Sequence, residues 1–344
     1  MQEKDGKAIY LHLELRDPEL KPKCQDILRK YGKSPNGISI SRDILVPRDM
    51  TLDALHYTIQ RLFGWLNMHN RTFNLPREDF EDVTEGKVKT WSRYVGKLFQ
   101  TPSQLEAARK SQLKQIPEER VTQENFQKKY TGPYDLGNQK KAYELSQADI
   151  QSMLDAFPEV EIHNPQNLRS FDFEHGTKKP LQDLTMDQLR GTMFMASDFT
   201  DLMEHLLVDE ILAYEDEPLR KPEETQNLSH RLFYAYDESE AWVVEISKKH
   251  DAEELIRQGL VKREAVERAK EQVEETYAPV CLVRQGLNVF EDIGGLTGFC
   301  TFLDVYYGSS YGADAEEKEE LANWAKDLGW IDEEKNPIDP ANVF

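Results

Sequence analysis

Thr51–Phe73 reads TLDALHYTIQRLFGWLNMHNRTF, and the spacing within it decides the fold. Leu52, Leu55, Ile59, Leu62 and Phe63 recur at helical intervals, so one face of this stretch is apolar. Thr51 has the side chain to cap the first turn, and Asp53 places a negative charge at the positive end of the helix. Gly64 stands where a left-handed stop belongs. Arg71–Leu75 then reads as a strand. Helix followed closely by strand, with strands on the N-terminal side as well, is the beginning of an α+β core.

Upstream, Ile9–Leu15 (IYLHLEL) alternates apolar and polar residues as a half-buried strand does. Prolines and glycines bracket a short CQDILRKY segment, and Ile38–Val46 reads as a second strand ending at Pro47. These two strands are expected to pair antiparallel, giving β-β-α-β over the first 75 residues. Downstream, Leu232–Tyr236 and Ala241–Ile246 form a candidate hairpin around Asp237–Glu240. Asp251–Tyr277 is charged and helical, with Glu264 and Arg268 spaced for an i,i+4 pair. Val280–Val283 reads as a last short strand. Phe299, Phe302, Leu303 and Tyr306 make a helical stripe, and a final helix lies around Glu316–Leu328.

Pro76 to Ser229 interrupts this pattern. The stretch reads as charged, mainly helical material, with capping-box spacing at Ser146–Asp149 and Thr185–Gln188 and a linker at Glu215–Ser229. The expected architecture is therefore α+β: a small mixed or antiparallel sheet with packed helices, built from residues 1–75 and 229–344, and interrupted by a large helical insertion at 76–228.

Composition narrows the function classes. The chain has 344 residues, 39% of them hydrophobic and 10% aromatic, enough for a substantial core. Against 43 basic residues stand 63 acidic ones, a formal charge of −20. Such a surface repels phosphate backbones, so a nucleic-acid partner is disfavoured. The basic stretch Ala108–Lys114, with Lys128, Lys129, Lys140 and Lys141 and the interleaved Phe126, Tyr130 and Tyr134, is the one nucleic-acid candidate, and Glu118, Glu119 and Glu124 dilute it. Cys24, Cys281 and Cys300 have neither CxxC spacing nor an even framework, which points to reduced thiols. There is no signal-peptide pattern and no apolar run near the roughly 20 residues that span a bilayer. A cytoplasmic protein without membrane contact is expected.

The ordered motifs carry a family resemblance. Val46, Pro47, Thr51, Leu52, Leu55, His56, Ile59, Gln60, Phe63, Gly64 and Trp65 fit a VPxxxTLxxLHxxIQxxFGW pattern, and His69 and Phe73 fit a following HxxF strand with one extra residue between them. Tyr236, Asp237, Trp242 and Ile246 fit YDFGDxWxHxI. Glu291, Asp292, Gly294, Gly295, Gly298 and Phe299 fit PPEDxGGxxGY. In these features the chain resembles the plasmid pRiA4b ORF-3-like family, also known as passenger proteins of insertion elements. The resemblance implies a mobile-element setting and no established chemistry. The chain departs from the pattern at Glu238, Ser239 and Glu240 in place of Phe-Gly-Asp, at Val244 in place of histidine, and at Val289 and Phe290 in place of the double proline.

Two functional readings follow. The leading one is a non-catalytic interaction module for a protein or peptide, since no complete catalytic set is present and no cofactor is called for. The rival is a metal-dependent hydrolase. Asp237, Glu240, Glu291 and Asp292 would supply oxygen ligands for a divalent metal, because hard cations want carboxylates converging from separate segments. His69, Asp237 and Glu240 are the catalytic candidates, His69 as a nitrogen ligand or general base. The plainer reading of these carboxylates is solvated turns, with Glu291 and Asp292 favouring the N-terminus of a helix near Thr297. His56 reads as a core histidine, Trp65 and Trp242 as core aromatics, and Gly294-Gly295 as a tight strand-to-helix turn. The rival needs its five side chains in one place, and it fails if Asp237 and Glu291 lie on opposite sides of the sheet.

Overall fold

The computed structural model describes residues 8–69, 71–84, 160–162, 177–179, 208–220, 226–237, 239–308 and 311–340. Within them the chain is α+β, as its spacing predicts. Strands β1 (Ala8–Arg16) and β2 (Ser39–Pro47) flank helix α1 (Pro22–Lys30), and α2 (Leu52–Phe63) leads to β3 (Arg71–Asn74) and α3 (Arg77–Thr84). A small ribbon, β4 (Val160–Ile162) and β5 (Thr177–Lys179), and the short α4 (Val208–Ile211) precede the hairpin of β6 (Arg231–Tyr236) and β7 (Trp242–Lys249). Then come α5 (Glu253–Arg257), α6 (Arg263–Thr276), β8 (Val280–Gln285), α7 (Gly295–Tyr306) and α8 (Ala315–Asp327).

Six strands form one sheet in the order β3-β6-β7-β1-β2-β8, and every pairing in it is antiparallel. β1 lies at its middle, with Leu13 opposite Arg42 on one side and Ile246 on the other. Because side chains alternate across a strand, Leu11, Leu13 and Leu15 enter the main core beneath α1, α2 and α7, while Tyr10 packs on the other face against α5 and α6. β2 is buried along its whole length, whereas β6 and β7 alternate buried and half-buried residues. The sheet is thus covered on both faces at its β2–β8 end and more openly at its β6 end.

Local chemistry sets the element ends. The Thr51 hydroxyl accepts from the Ala54 amide, and Gly64 ends α2 at φ 90°. A Cβ at Gly64 would meet the Val289 carbonyl at 2.9 Å, so both conformation and space require glycine. CQDILRKY, unassigned from spacing, is the body of α1, with Pro22 in its first turn. The anticipated Glu264–Arg268 pair takes another form: the Arg268 guanidinium donates to the Glu264 main-chain carbonyl at 3.2 Å. Residues 226–229, expected as linker, pack back on α4 through Asn227 N to Glu210 O and Leu228 N to Ile211 O. The capping boxes at 146–149 and 185–188, the basic stretch at 108–114 and most of the helical insertion lie outside the described residues. Among the described residues no helix is long and apolar enough to cross a membrane.

Arg42 of β2 is fully buried, and its guanidinium has neutral acceptors. It donates to the carbonyls of Leu62 (2.8 Å), Ser41 (2.8 Å), Gln285 (3.1 Å), Gly286 (3.2 Å) and Leu287 (3.3 Å) and to Asn288 Oδ1 (3.0 Å). Replacing it by methionine leaves several of these buried oxygens unpaired. Arg42→Met is expected to lower unfolding free energy by about 3 kcal/mol or more, read from urea denaturation. A loss under about 1 kcal/mol would show that the network is not a structural hub.

Candidate metal centre

The segment after α2 is held by groups from three elements. A closed ring of hydrogen bonds fixes Asn67, whose φ is 60°. The Asn67 amide donates to Gln60 Oε1 (3.0 Å), Gln60 Nε2 donates to the Tyr234 hydroxyl (2.7 Å), and that hydroxyl donates to His56 Nδ1 (2.7 Å). His56 Nε2 donates to Asn67 Oδ1 at 3.0 Å and completes the circuit. Asn67 Oδ1 can only accept, which sets the neutral tautomer of His56. Burial, and then the charge of Arg71, push this imidazole down to about 3. His56 is therefore the core histidine its position predicts, and with Gln60 it orients the loop that carries His69.

Tyr236 fixes the rest of that loop. Its hydroxyl accepts from the amides of Met68 (2.9 Å) and His69 (3.3 Å) and donates to Glu291 Oε1 at 2.6 Å. The Leu66 amide donates to the same Glu291 oxygen at 2.5 Å. Burial and the adjoining carboxylate push the Tyr236 phenol well above its ordinary range, so it keeps its proton and remains a donor. Trp65 packs behind, with ring centroids 5.4 Å from Phe63, 4.9 Å from Tyr236 and 5.6 Å from Trp242.

Four of the five sequence candidates meet here. His69 Nε2 lies 3.5 Å from Asp237 Oδ2, 3.5 Å from Glu291 Oε2 and 3.4 Å from Asp292 Oδ1. One ligand atom from each of His69, Asp237 and Asp292 lies within 4.8 Å of the other two; Glu291 stands outside that trio. Asp237 is 5% and Glu291 1% exposed, yet Asp237 Oδ2, Glu291 Oε2 and His69 Nε2 are all buried without a hydrogen-bond partner. The other oxygen of each acid is satisfied: Asp237 Oδ1 accepts from the Ser239 amide (3.0 Å) and hydroxyl (2.6 Å), and Glu291 Oε1 from Tyr236 and Leu66. Each carboxylate is thus anchored by one oxygen and presents the other. Asp237 (φ 51°) and Asp292 (φ 54°) both sit in the left-handed region, a local strain that aspartate tolerates better than most residues.

The spacing suits a cation. Ligand bonds of about 2.0–2.2 Å in a tetrahedral site put ligand atoms about 3.3–3.6 Å apart, the separations seen around His69 Nε2. A protonated imidazole at these distances would make three long ion pairs and leave each buried atom without a proper hydrogen bond. One nitrogen with several carboxylates favours zinc, manganese or iron over calcium or magnesium.

Glu240, the fifth candidate, is engaged elsewhere. Its Oε2 accepts from the amides of Gly294 and, at 2.5 Å, Gly295, where it satisfies the start of α7. It takes the place at that helix terminus expected for Glu291 and Asp292. Gly294 (φ 86°) and Gly295 (φ 64°) form the expected strand-to-helix turn, and a Cβ on Gly295 would meet the Glu240 carbonyl at 2.6 Å. Glu238 lies outside the described residues. Cys281 and Cys300 hydrogen-bond separately, to the carbonyls of Val283 and Cys24, and all three cysteines are free and buried. Tyr236 and Asn67 were missed as site residues, because an aromatic in a strand and a polar residue after a helix stop look alike whether or not they hold a site.

The depressed His56 fixes a pH dependence. Unfolded histidine titrates near 6.5, so below that pH the unfolded chain binds a proton that the folded chain refuses. Stability is full above about 6.5 and falls toward acid, by up to about 1.4 kcal/mol per pH unit from this group. Urea unfolding between pH 7 and 5 is expected to show a slope that His56→Gln flattens; equal slopes in both proteins would refute the neutral, buried assignment.

No curated protein matches this chain. A crystal structure of a protein of unknown function from Methanosarcina mazei Go1 is similar at 14% identity, over 96% of this chain and 97% of that one, with a TM-score of 0.29. The family model described as plasmid pRiA4b ORF-3-like protein matches residues 34–151, which contain β2, the α2 motif, His69 and β3; Asp237, Glu291 and Asp292 lie beyond the match. The resemblance read from the α2 motif is thereby shown: residues 34–151 match the plasmid pRiA4b ORF-3-like family.

Proposed function

We propose that this protein is a metal-dependent hydrolase whose divalent ion is held by His69, Asp237 and Asp292, with Glu291 as the proton acceptor beside it. The observation that carries the reading is the convergence of buried atoms without hydrogen-bond partners, two of them on carboxylates at least nine-tenths buried. Leaving such groups unpaired costs about 1–3 kcal/mol each, and a shared cation removes that cost. Glu240 drops out of the proposed set because its carboxylate closes the start of α7.

Each residue has a task that follows from its surroundings. The ion would polarise a bound water and a substrate oxygen. Glu291 Oε2 is positioned by the bonds to its other oxygen and is free to take the water proton. The water oxygen then bonds the electrophilic carbon, the bond to the leaving group breaks, and the proton passes from Glu291 to that group. Asp292 is 49% and the His69 side chain 26% exposed, so the centre opens to solvent on the side where a substrate would enter.

The interaction-module reading keeps one specific support: Leu66 and Met68, on the same loop, are 48% and 60% exposed. A mobile-element setting rests on the family description alone. The division into a discontinuous core, 1–75 and 229–344, around an insertion at 76–228 remains part of this proposal.

Calorimetric titration of metal-free protein with zinc or manganese is expected to give one bound equivalent. His69→Ala and Asp237→Asn should each weaken binding by at least about 100-fold, while Glu240→Gln leaves affinity unchanged and lowers thermal stability. Metal should raise the unfolding temperature of the wild type and of Glu240→Gln only. No uptake by the wild type, or equal uptake by Asp237→Asn, would end the metal reading.

A further inference from the structure

The surroundings of the centre select among substrates. Asp237, Glu291 and Asp292 supply three negative charges around the proposed dication, and Arg71 is the cation that lines the cavity beside Asp237. The Arg71 guanidinium lies 5.8 Å from the centre of the Tyr57 ring, on the α2 side. Together these charges balance, and no surplus of positive charge remains for a phosphate. Sites that cleave phosphate esters instead gather several cations on the charge that develops there. The chain's overall charge of −20 adds to the penalty for an anionic substrate.

The cavity itself is small and largely apolar. It holds about 60 Å³, and Ala235, Ala241, Trp242 and Val243 line it together with Tyr236 and Asp237 of the centre. That is far below the few hundred Å³ of a typical ligand cleft; it accommodates a short alkyl group. On the opposite side of the metal-site loop, the exposed Leu66 and Met68 offer further apolar surface.

We propose that the site acts on neutral carbonyl compounds, esters or amides carrying a short apolar acyl group, and discriminates against phosphate esters. This rests on the metal-hydrolase reading above. A neutral carbonyl brings no charge into a site already balanced, and its acyl group fits the cavity beside Asp237. During attack Glu291 takes the water proton, so the charge that develops on the carbonyl oxygen is offset at the ion without a further cation.

The test uses the full chain loaded with zinc, titrated in parallel with acetohydroxamic acid and with inorganic phosphate. Acetohydroxamic acid is a neutral carbonyl ligand in solution and can hand its N–OH proton to Glu291. The expected result is binding of the hydroxamic acid at least tenfold tighter than phosphate, with Glu291→Gln abolishing the preference while zinc stays bound. Phosphate binding as tightly or more tightly overturns the substrate assignment and leaves the metal site standing. Zinc bound with neither ligand recognised overturns it as well. Failure to bind zinc at all removes the parent reading, a result the initial metal titration separates from the other two.

Discussion

Everything around the centre depends on the burial of Arg42. A guanidinium cannot shed its charge, and removal from water is tolerable only if nearly every N–H finds an acceptor. Arg42 meets that demand with the last-turn carbonyl of α2 at Leu62, the β8 end at Gln285, and the Gly286–Asn288 connection. The C-terminal carbonyls of a helix carry partial negative charge, which makes Leu62 a favourable partner. Asn288 Oδ1 also accepts from Arg284 at 2.6 Å, and Arg284 pairs with buried Glu333 at 3.0 Å. One network therefore ties α2, β2, β8 and the segment after α8 into a single body.

That network places the two halves of the centre. His69 follows α2 by a few residues, and Glu291 and Asp292 follow Asn288 by a few. The Val289 amide donates to the Phe63 carbonyl at 3.0 Å, bringing the two chain segments side by side just before they diverge to the site. The remaining partner, Asp237, arrives at the hairpin of β6 and β7, and β6 lies against β3 immediately after His69. Three sequence-distant segments meet because strand pairing and one buried cation leave them no other arrangement. The left-handed backbone at Asn67, Asp237 and Asp292 is the local strain that such convergence costs.

The strand pattern, the α2 boundaries, the hairpin and the apolar stripe of α7 were legible because each follows from local periodicity and capping. α1 escaped because a nine-residue helix offers too few turns for its pattern to stand out from loop punctuation. The candidate set His69, Asp237, Glu291 and Asp292 was legible as an acidic cluster with a histidine, but so was Glu240. Only its bonds to the Gly294 and Gly295 amides separate a helix cap from a ligand. His56 and Gln60, the most conspicuous polar residues of the motif helix, act through Asn67, a relation that exists only once Tyr234 is brought across from β6.

The sequence by itself determined the fold class, the order of strands and helices around α2, and the family resemblance, since these rest on side-chain periodicity and glycine placement within short windows. The tertiary structure decided which carboxylates face His69, which one closes a helix, and which oxygens are left without partners. The reason is physical: a carboxylate in a turn has the same local chemistry whether water or a cation faces it. The difference is set by burial and by groups from strands more than a hundred residues away.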